Sequence, residues 1–148
     1  AFRILALRRA KALTDELLIA NFKTIYSSYR KNELKTVQAF QDAAMAYYDD
    51  KEARRLIRDK SPLVILLLEE EIRKATADKK GVADLMKLLV EKFSFIKQKV
   101  TLTNEVILQA LQELTGKDFT EFFNKYIKGT EEIKLGPIGG YSLLTKNK

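Results

Sequence analysis

The 148-residue sequence contains no cysteine and no histidine. Those two absences exclude a disulfide, a thiolate nucleophile, an imidazole base and any thiolate or imidazole metal ligand, which removes most familiar catalytic apparatus from this chain. Long apolar runs are missing as well. The longest is Leu63-Val64-Ile65-Leu66-Leu67-Leu68, closed at once by Glu69-Glu70-Glu71 and far short of the roughly 18 to 20 apolar residues of a bilayer-spanning helix. The segment Ala1-Phe2-Arg3-Ile4-Leu5-Ala6-Leu7-Arg8-Arg9 meets arginine too early to hold the apolar centre of a signal peptide, and it reads as helix. Two-residue alternation hardly occurs outside Val100-Thr101-Leu102-Thr103, so there is little room for a sheet. No phosphate-binding loop is present either: Gly136-Pro137-Ile138-Gly139-Gly140 follows no strand and lacks both the lysine and the helix that such a loop needs.

What is there is helical. Apolar residues make up 46% and charged residues 32%, an ordinary balance for a soluble domain. One helical domain is expected over residues 1–135, with an irregular tail over 136–148 and a cytoplasmic location. Apolar side chains recur at helical spacing in Leu18, Phe22, Ile25 and Tyr29, in Val82, Leu85, Leu89, Phe93 and Ile96, and in Ile107, Leu111 and Leu114. Thr14, Ser61 before Pro62, Thr103 and Asp118 are placed to cap helix starts, while Gly81, Gly116 and Gly129 are placed to end helices. The expected fold is an all-α bundle of about seven helices, near residues 2–12, 15–31, 34–48, 62–79, 82–97, 104–115 and 119–128. A further piece between residues 50 and 60 is helix or connecting turn. Residues 63–68 are apolar around the whole helical circumference and mark the central helix.

The net charge of +7 is uneven. Arg3, Arg8, Arg9, Lys11, Lys23, Arg30 and Lys31 face only Asp15 and Glu16 in the first 31 residues. This basic third is read first as a solvated helix face, and as an alternative as an interaction surface for nucleic acid or an acidic protein.

Individual candidates for chemistry mostly have structural explanations. Glu69, Glu70 and Glu71 point about 100° apart on a helix and cannot converge on one ion, so a solvated face with pairing such as Glu70 to Lys74 is expected. Ser27, Ser28 and Ser61 have no histidine to activate them. Tyr26, Tyr29, Tyr47, Tyr48 and Tyr126 mostly fall on apolar stripes and are expected in or at the edge of the core, as are Phe119, Phe122 and Phe123.

Two longer motifs point to a family. The run Leu114-Thr115-Gly116-Lys117-Asp118-Phe119-Thr120-Glu121-Phe122-Phe123-Asn124-Lys125-Tyr126-Ile127-Lys128-Gly129-Thr130-Glu131-Glu132-Ile133 resembles the ending of glycyl-aminopeptidase-type and related gluzincin zinc aminopeptidases, roughly tGkdls-FFdqYv-Gtee-lP. Upstream, Asp59-Lys60-Ser61-Pro62-Leu63-Val64-Ile65-Leu66-Leu67-Leu68-Glu69-Glu70-Glu71-Ile72-Arg73 is similar to that family's Y-x-K-G-a-l-v-x-x-L-d-x-e-I-R helix. More weakly, Leu7-Arg8-Arg9-Ala10-Lys11-Ala12-Leu13-Thr14 is similar to a segment that follows the helix carrying the third zinc ligand.

The resemblance implies a C-terminal helical domain that flanks the substrate cleft of a zinc aminopeptidase-like parent and supplies no metal ligand, cofactor site or catalytic residue of its own. Zinc, the peptide substrate and the catalytic part that is this domain's partner would then belong to the parent, in sequence before Ala1. The missing initiator methionine fits such a fragment. In the family the tyrosine of Y-x-K-G helps stabilise the oxyanion of the tetrahedral intermediate; here Arg58 occupies that position, and Ser61 replaces the glycine. A guanidinium still presents positive charge, but as a different donor on a different stem.

Overall fold

The computed structural model describes residues 10, 12, 14–93, 101–135, 137–138 and 141–142. Among these the chain forms six α-helices: α1 (Asp15–Arg30), α2 (Phe40–Met45), α3 (Lys51–Ala75), α4 (Val82–Phe93), α5 (Asn104–Thr115) and α6 (Thr120–Tyr126). A 3-10 turn, Glu33–Thr36, lies between α1 and α2. After α6 a two-residue antiparallel ladder pairs Pro137 with Ser142 and Ile138 with Tyr141. The helices expected over residues 2–12 and beyond Phe93 lie outside the described residues.

Local chemistry accounts for most of the helix ends. The Thr14 hydroxyl accepts the Leu17 N–H at 3.4 Å at the start of α1, and the Thr103 hydroxyl accepts the Val106 N–H at 3.4 Å at the start of α5. Gly116 ends α5 in the left-handed conformation, φ 74°, with its N–H on the Gln112 carbonyl. The Asp118 carboxylate accepts both the backbone N–H and the hydroxyl of Thr120, so α6 begins at Thr120.

Three expectations need correction. The helix expected over 34–48 is broken into the 3-10 turn and the six-residue α2. The β-branched pair Thr36 and Val37 is weakly helical, and the first turn of α2 finds a tertiary acceptor, the Ile127 carbonyl receiving the Gln41 N–H at 3.0 Å. Ser61 is not a cap, and the helix expected from residue 62 starts instead at Lys51. There the Asp50 carboxylate accepts the N–H groups of Glu52 and Ala53, and the helix continues through Pro62 to Ala75. Pro62 deprives the Arg58 carbonyl of its usual donor, while the Ser61 hydroxyl donates to the Ile57 carbonyl at 2.6 Å. Burial carries the helix across this defect, since Ala53, Leu56, Leu63 and Leu66 on either side of it are all in the core. The expected count of about seven helices thus becomes six among the described residues.

The chain divides into two compact units, Ala1–Leu67 with Phe122–Lys148, and Leu68–Glu121. The core of the first unit gathers Leu18, Phe22 and Tyr29 from α1, Ala43 from α2, Ala53, Leu56, Leu63, Val64 and Leu66 from α3, and Ile133 and Leu135 from the extended segment after α6. In the second unit Leu68, Ile72, Leu85, Leu89, Leu111 and Leu114 are buried. Its two helices α4 and α5 pack on each other and are joined at the surface by Lys92 and Glu113. The start of α4 is held from α3: the Glu69 carboxylate accepts the Val82 N–H at 2.6 Å, and the Asp84 carboxylate accepts the Gly81 N–H at 2.9 Å. No helix among the described residues is long and apolar enough to cross a membrane.

Candidate functional site

Two polar residues stand where the α3 stripe should be apolar. Asp59 and Lys60 lie three and four residues after the buried Leu56 and therefore on its face. Both are buried, Asp59 at 5% and Lys60 at 0% exposure. Ser28, one residue before the buried Tyr29 on α1, meets the first of them: its hydroxyl donates to Asp59 Oδ2 at 2.7 Å. The same carboxylate lies 3.9 Å from Arg55 Nε and 3.4 Å from Arg58 Nε. A buried carboxylate is tolerated when hydrogen bonds and cations share its charge, as they do here.

Lys60 has no such compensation. Its ammonium makes no hydrogen bond and sits 5.9 Å from the centre of the Phe40 ring. Burial therefore pulls its pKa below the ordinary lysine value.

Two of the partners of Asp59, Ser28 and Arg55, also line an open groove of about 510 Å³ together with Lys23, Thr24, Ser27 and Lys31. Its geometry follows from helix periodicity. Lys23, Ser27 and Lys31 are spaced four apart and form one row along α1; Thr24 and Ser28 form the adjacent row. Arg55 comes from α3. Lys23 and Lys31 are exposed and have no carboxylate within ion-pair distance among the described residues. The guanidinium of Arg55 is held only loosely, at 3.9 Å from both Glu52 and Asp59. Thr24 already donates to the Ala20 carbonyl, and Ser28 to Asp59, which leaves the Ser27 hydroxyl as the donor available at the surface.

The remaining residues singled out from sequence sort as follows. Arg58, at the position of the family's oxyanion tyrosine, has a 70% exposed side chain turned toward Asp59. Glu70 and Glu71 both pair with Lys74, at 2.9 and 3.2 Å, while Glu69 is the cap of α4. Tyr29 is fully buried, and Tyr26 and Tyr126 pack at the edge of the same core. Tyr48 departs from the expected core role: it is 86% exposed, in the turn that follows the end of α2 at Met45. Of the basic N-terminal residues, Arg3, Arg8, Arg9 and Lys11 lie outside the described residues, and only Lys23 and Lys31 line the groove.

The sequence alone does not single out Asp59, Lys60 and Arg55 as a group, because their partner Ser28 lies on another helix. The legible signal was the presence of Asp59 and Lys60 at core positions of the α3 stripe.

Among the described residues no three His, Cys, Asp or Glu side chains gather where a metal ion could be held. With neither histidine nor cysteine in the chain, these residues do not fit a zinc site. No family model matches the chain, and no curated protein or solved structure is similar to it at a significant level.

Proposed function

We propose that this chain is the helical C-terminal domain of a gluzincin-type, aminopeptidase-like protein, non-catalytic by itself and flanking the substrate cleft of its parent. What carries the reading is the resemblance of residues 59–73 and 114–133 to the two family motifs. Physical features of the chain are compatible with it. The second motif supplies a capped amphipathic helix, α6, and an extended return whose Ile133 and Leu135 are buried. Gly129 sits where a Cβ would collide with the Asn124 carbonyl oxygen, which gives the motif's glycine a steric reason. The first motif supplies the middle of α3, with Leu63, Val64 and Leu66 in the core.

On this reading the metal and the peptide chemistry belong to the catalytic part of the parent, and no step runs through zinc here. Arg58 stands at the oxyanion-stabilising position with its Nε toward Asp59. A cytoplasmic location is part of the proposal, since a chain without cysteine draws no stability from an oxidising compartment. The test is the coding sequence preceding Ala1. A His-Glu-x-x-His helix with a further acidic ligand beyond it is expected, and a preceding sequence without one would sink the reading.

A further inference from the structure

We propose that the groove between α1 and α3 is a binding site for a diphosphate group, held by Lys23, Lys31 and Arg55 with the Ser27 hydroxyl between the lysines.

The charge balance favours a multiply charged anion. Three cations line the groove. The carboxylate bonded to the lining residue Ser28, Asp59, is 5% exposed and already receives that hydroxyl. Lys23 and Lys31 have no acidic partner among the described residues, so their charge is left for a ligand to neutralise. A carboxylate would match one cation; a diphosphate matches all three.

The geometry favours a compact ligand over a polymer. Eight residues separate Lys23 from Lys31, about 12 Å along the helix at 1.5 Å per residue. Their flexible four-carbon stems let both ammoniums lean toward Ser27 from either side. Arg55 supplies a planar fork suited to paired phosphate oxygens from the facing helix. A nucleic acid is held by cations that follow its backbone over successive phosphates, whereas these three converge on one short groove.

Inorganic pyrophosphate and adenosine diphosphate carry the same chemistry, so isothermal titration of the full 148-residue chain with each, at low salt, is the experiment. Binding of at least one is expected, and the tighter of the two identifies the source of the diphosphate. Lys23→Ala and Lys31→Ala should each weaken binding severalfold. Both side chains are exposed, so the thermal unfolding curve should not move. Arg55→Lys keeps the charge and removes the fork, and should weaken binding by about tenfold, one lost charge-assisted pair. Three results would overturn the proposal: no binding at millimolar pyrophosphate or adenosine diphosphate, Arg55→Lys binding like the wild type, or a short oligonucleotide that binds and is not displaced by pyrophosphate.

Discussion

The phenolic oxygen of Tyr29 accepts the backbone N–H of Ile133 at 3.0 Å, joining α1 to the segment after α6 across 104 residues of sequence. Both residues are fully buried, so this N–H has no access to water. The bond thus ties the extended return to the core of the first unit, where Ile133 and Leu135 pack.

Tyr29→Phe keeps the ring and removes the acceptor, stranding a buried N–H. The expected loss is about 1 to 3 kcal/mol, read as a lower urea midpoint. Tyr26→Phe, whose hydroxyl has no hydrogen-bond partner among the described residues, is the control and should change stability by no more than about 0.5 kcal/mol. Equal midpoints for the two variants would contradict the assignment.

Lys60 governs a different dependence. Burial lowers its pKa in the folded protein below the ordinary 10.5, so between the folded value and 10.5 the unfolded chain binds the extra proton. Stability therefore rises with pH across that window, and the penalty is largest below it. Tyr29 acts in the opposite sense. Its pKa is raised above 10.0, first by burial, so the folded state holds a proton that the unfolded chain releases above pH 10. Lys60→Met should raise stability at neutral pH and flatten the rise toward pH 10, as measured by urea unfolding at a series of pH values. An unchanged slope would show that the ammonium is not desolvated.

Pro62 offers a third test. Inside a helix a proline costs about 3 kcal/mol relative to alanine, through the lost N–H and the clash with the preceding turn. Pro62→Ala should therefore stabilise the protein by about 1 to 3 kcal/mol if α3 runs unbroken from Lys51 to Ala75. Were Pro62 the first residue of a helix, the same change would be neutral or harmful, and calorimetry distinguishes the two.

Backbone geometry at the helix ends gives a fourth. Ala77 has φ 48°, a left-handed conformation that strains a residue with a Cβ. Ala77→Gly should stabilise by up to about 1 kcal/mol, net of the greater freedom glycine gives the unfolded chain. Gly129→Ala should do the reverse by more than about 1 kcal/mol, because its Cβ would meet the Asn124 carbonyl oxygen. Thermal unfolding of the pair should therefore shift in opposite directions.

Much of this architecture was legible in short stretches of sequence. Thr14, Thr103 and Gly116 mark their helix ends because caps act within one turn. The stripe Leu18, Phe22, Tyr29 is buried as its spacing requires, and α5 runs over the expected residues 104–115. In the groove, the row Lys23, Ser27, Lys31 is visible from spacing alone.

What the sequence determined by itself is the set of amphipathic helices, their local caps and the absence of a histidine or cysteine metal site, all of which depend on neighbours within a few residues. The tertiary structure decided the rest. Pro62 stands in a helix interior because the buried residues on both sides of it outweigh its local preference. The helix expected over residues 34–48 breaks where the start of α2 finds the Ile127 carbonyl. Arg55 and Asp59 join Ser28, and Tyr29 joins Ile133, only when distant segments meet. Such pairings depend on which faces come into contact, and no local propensity encodes that.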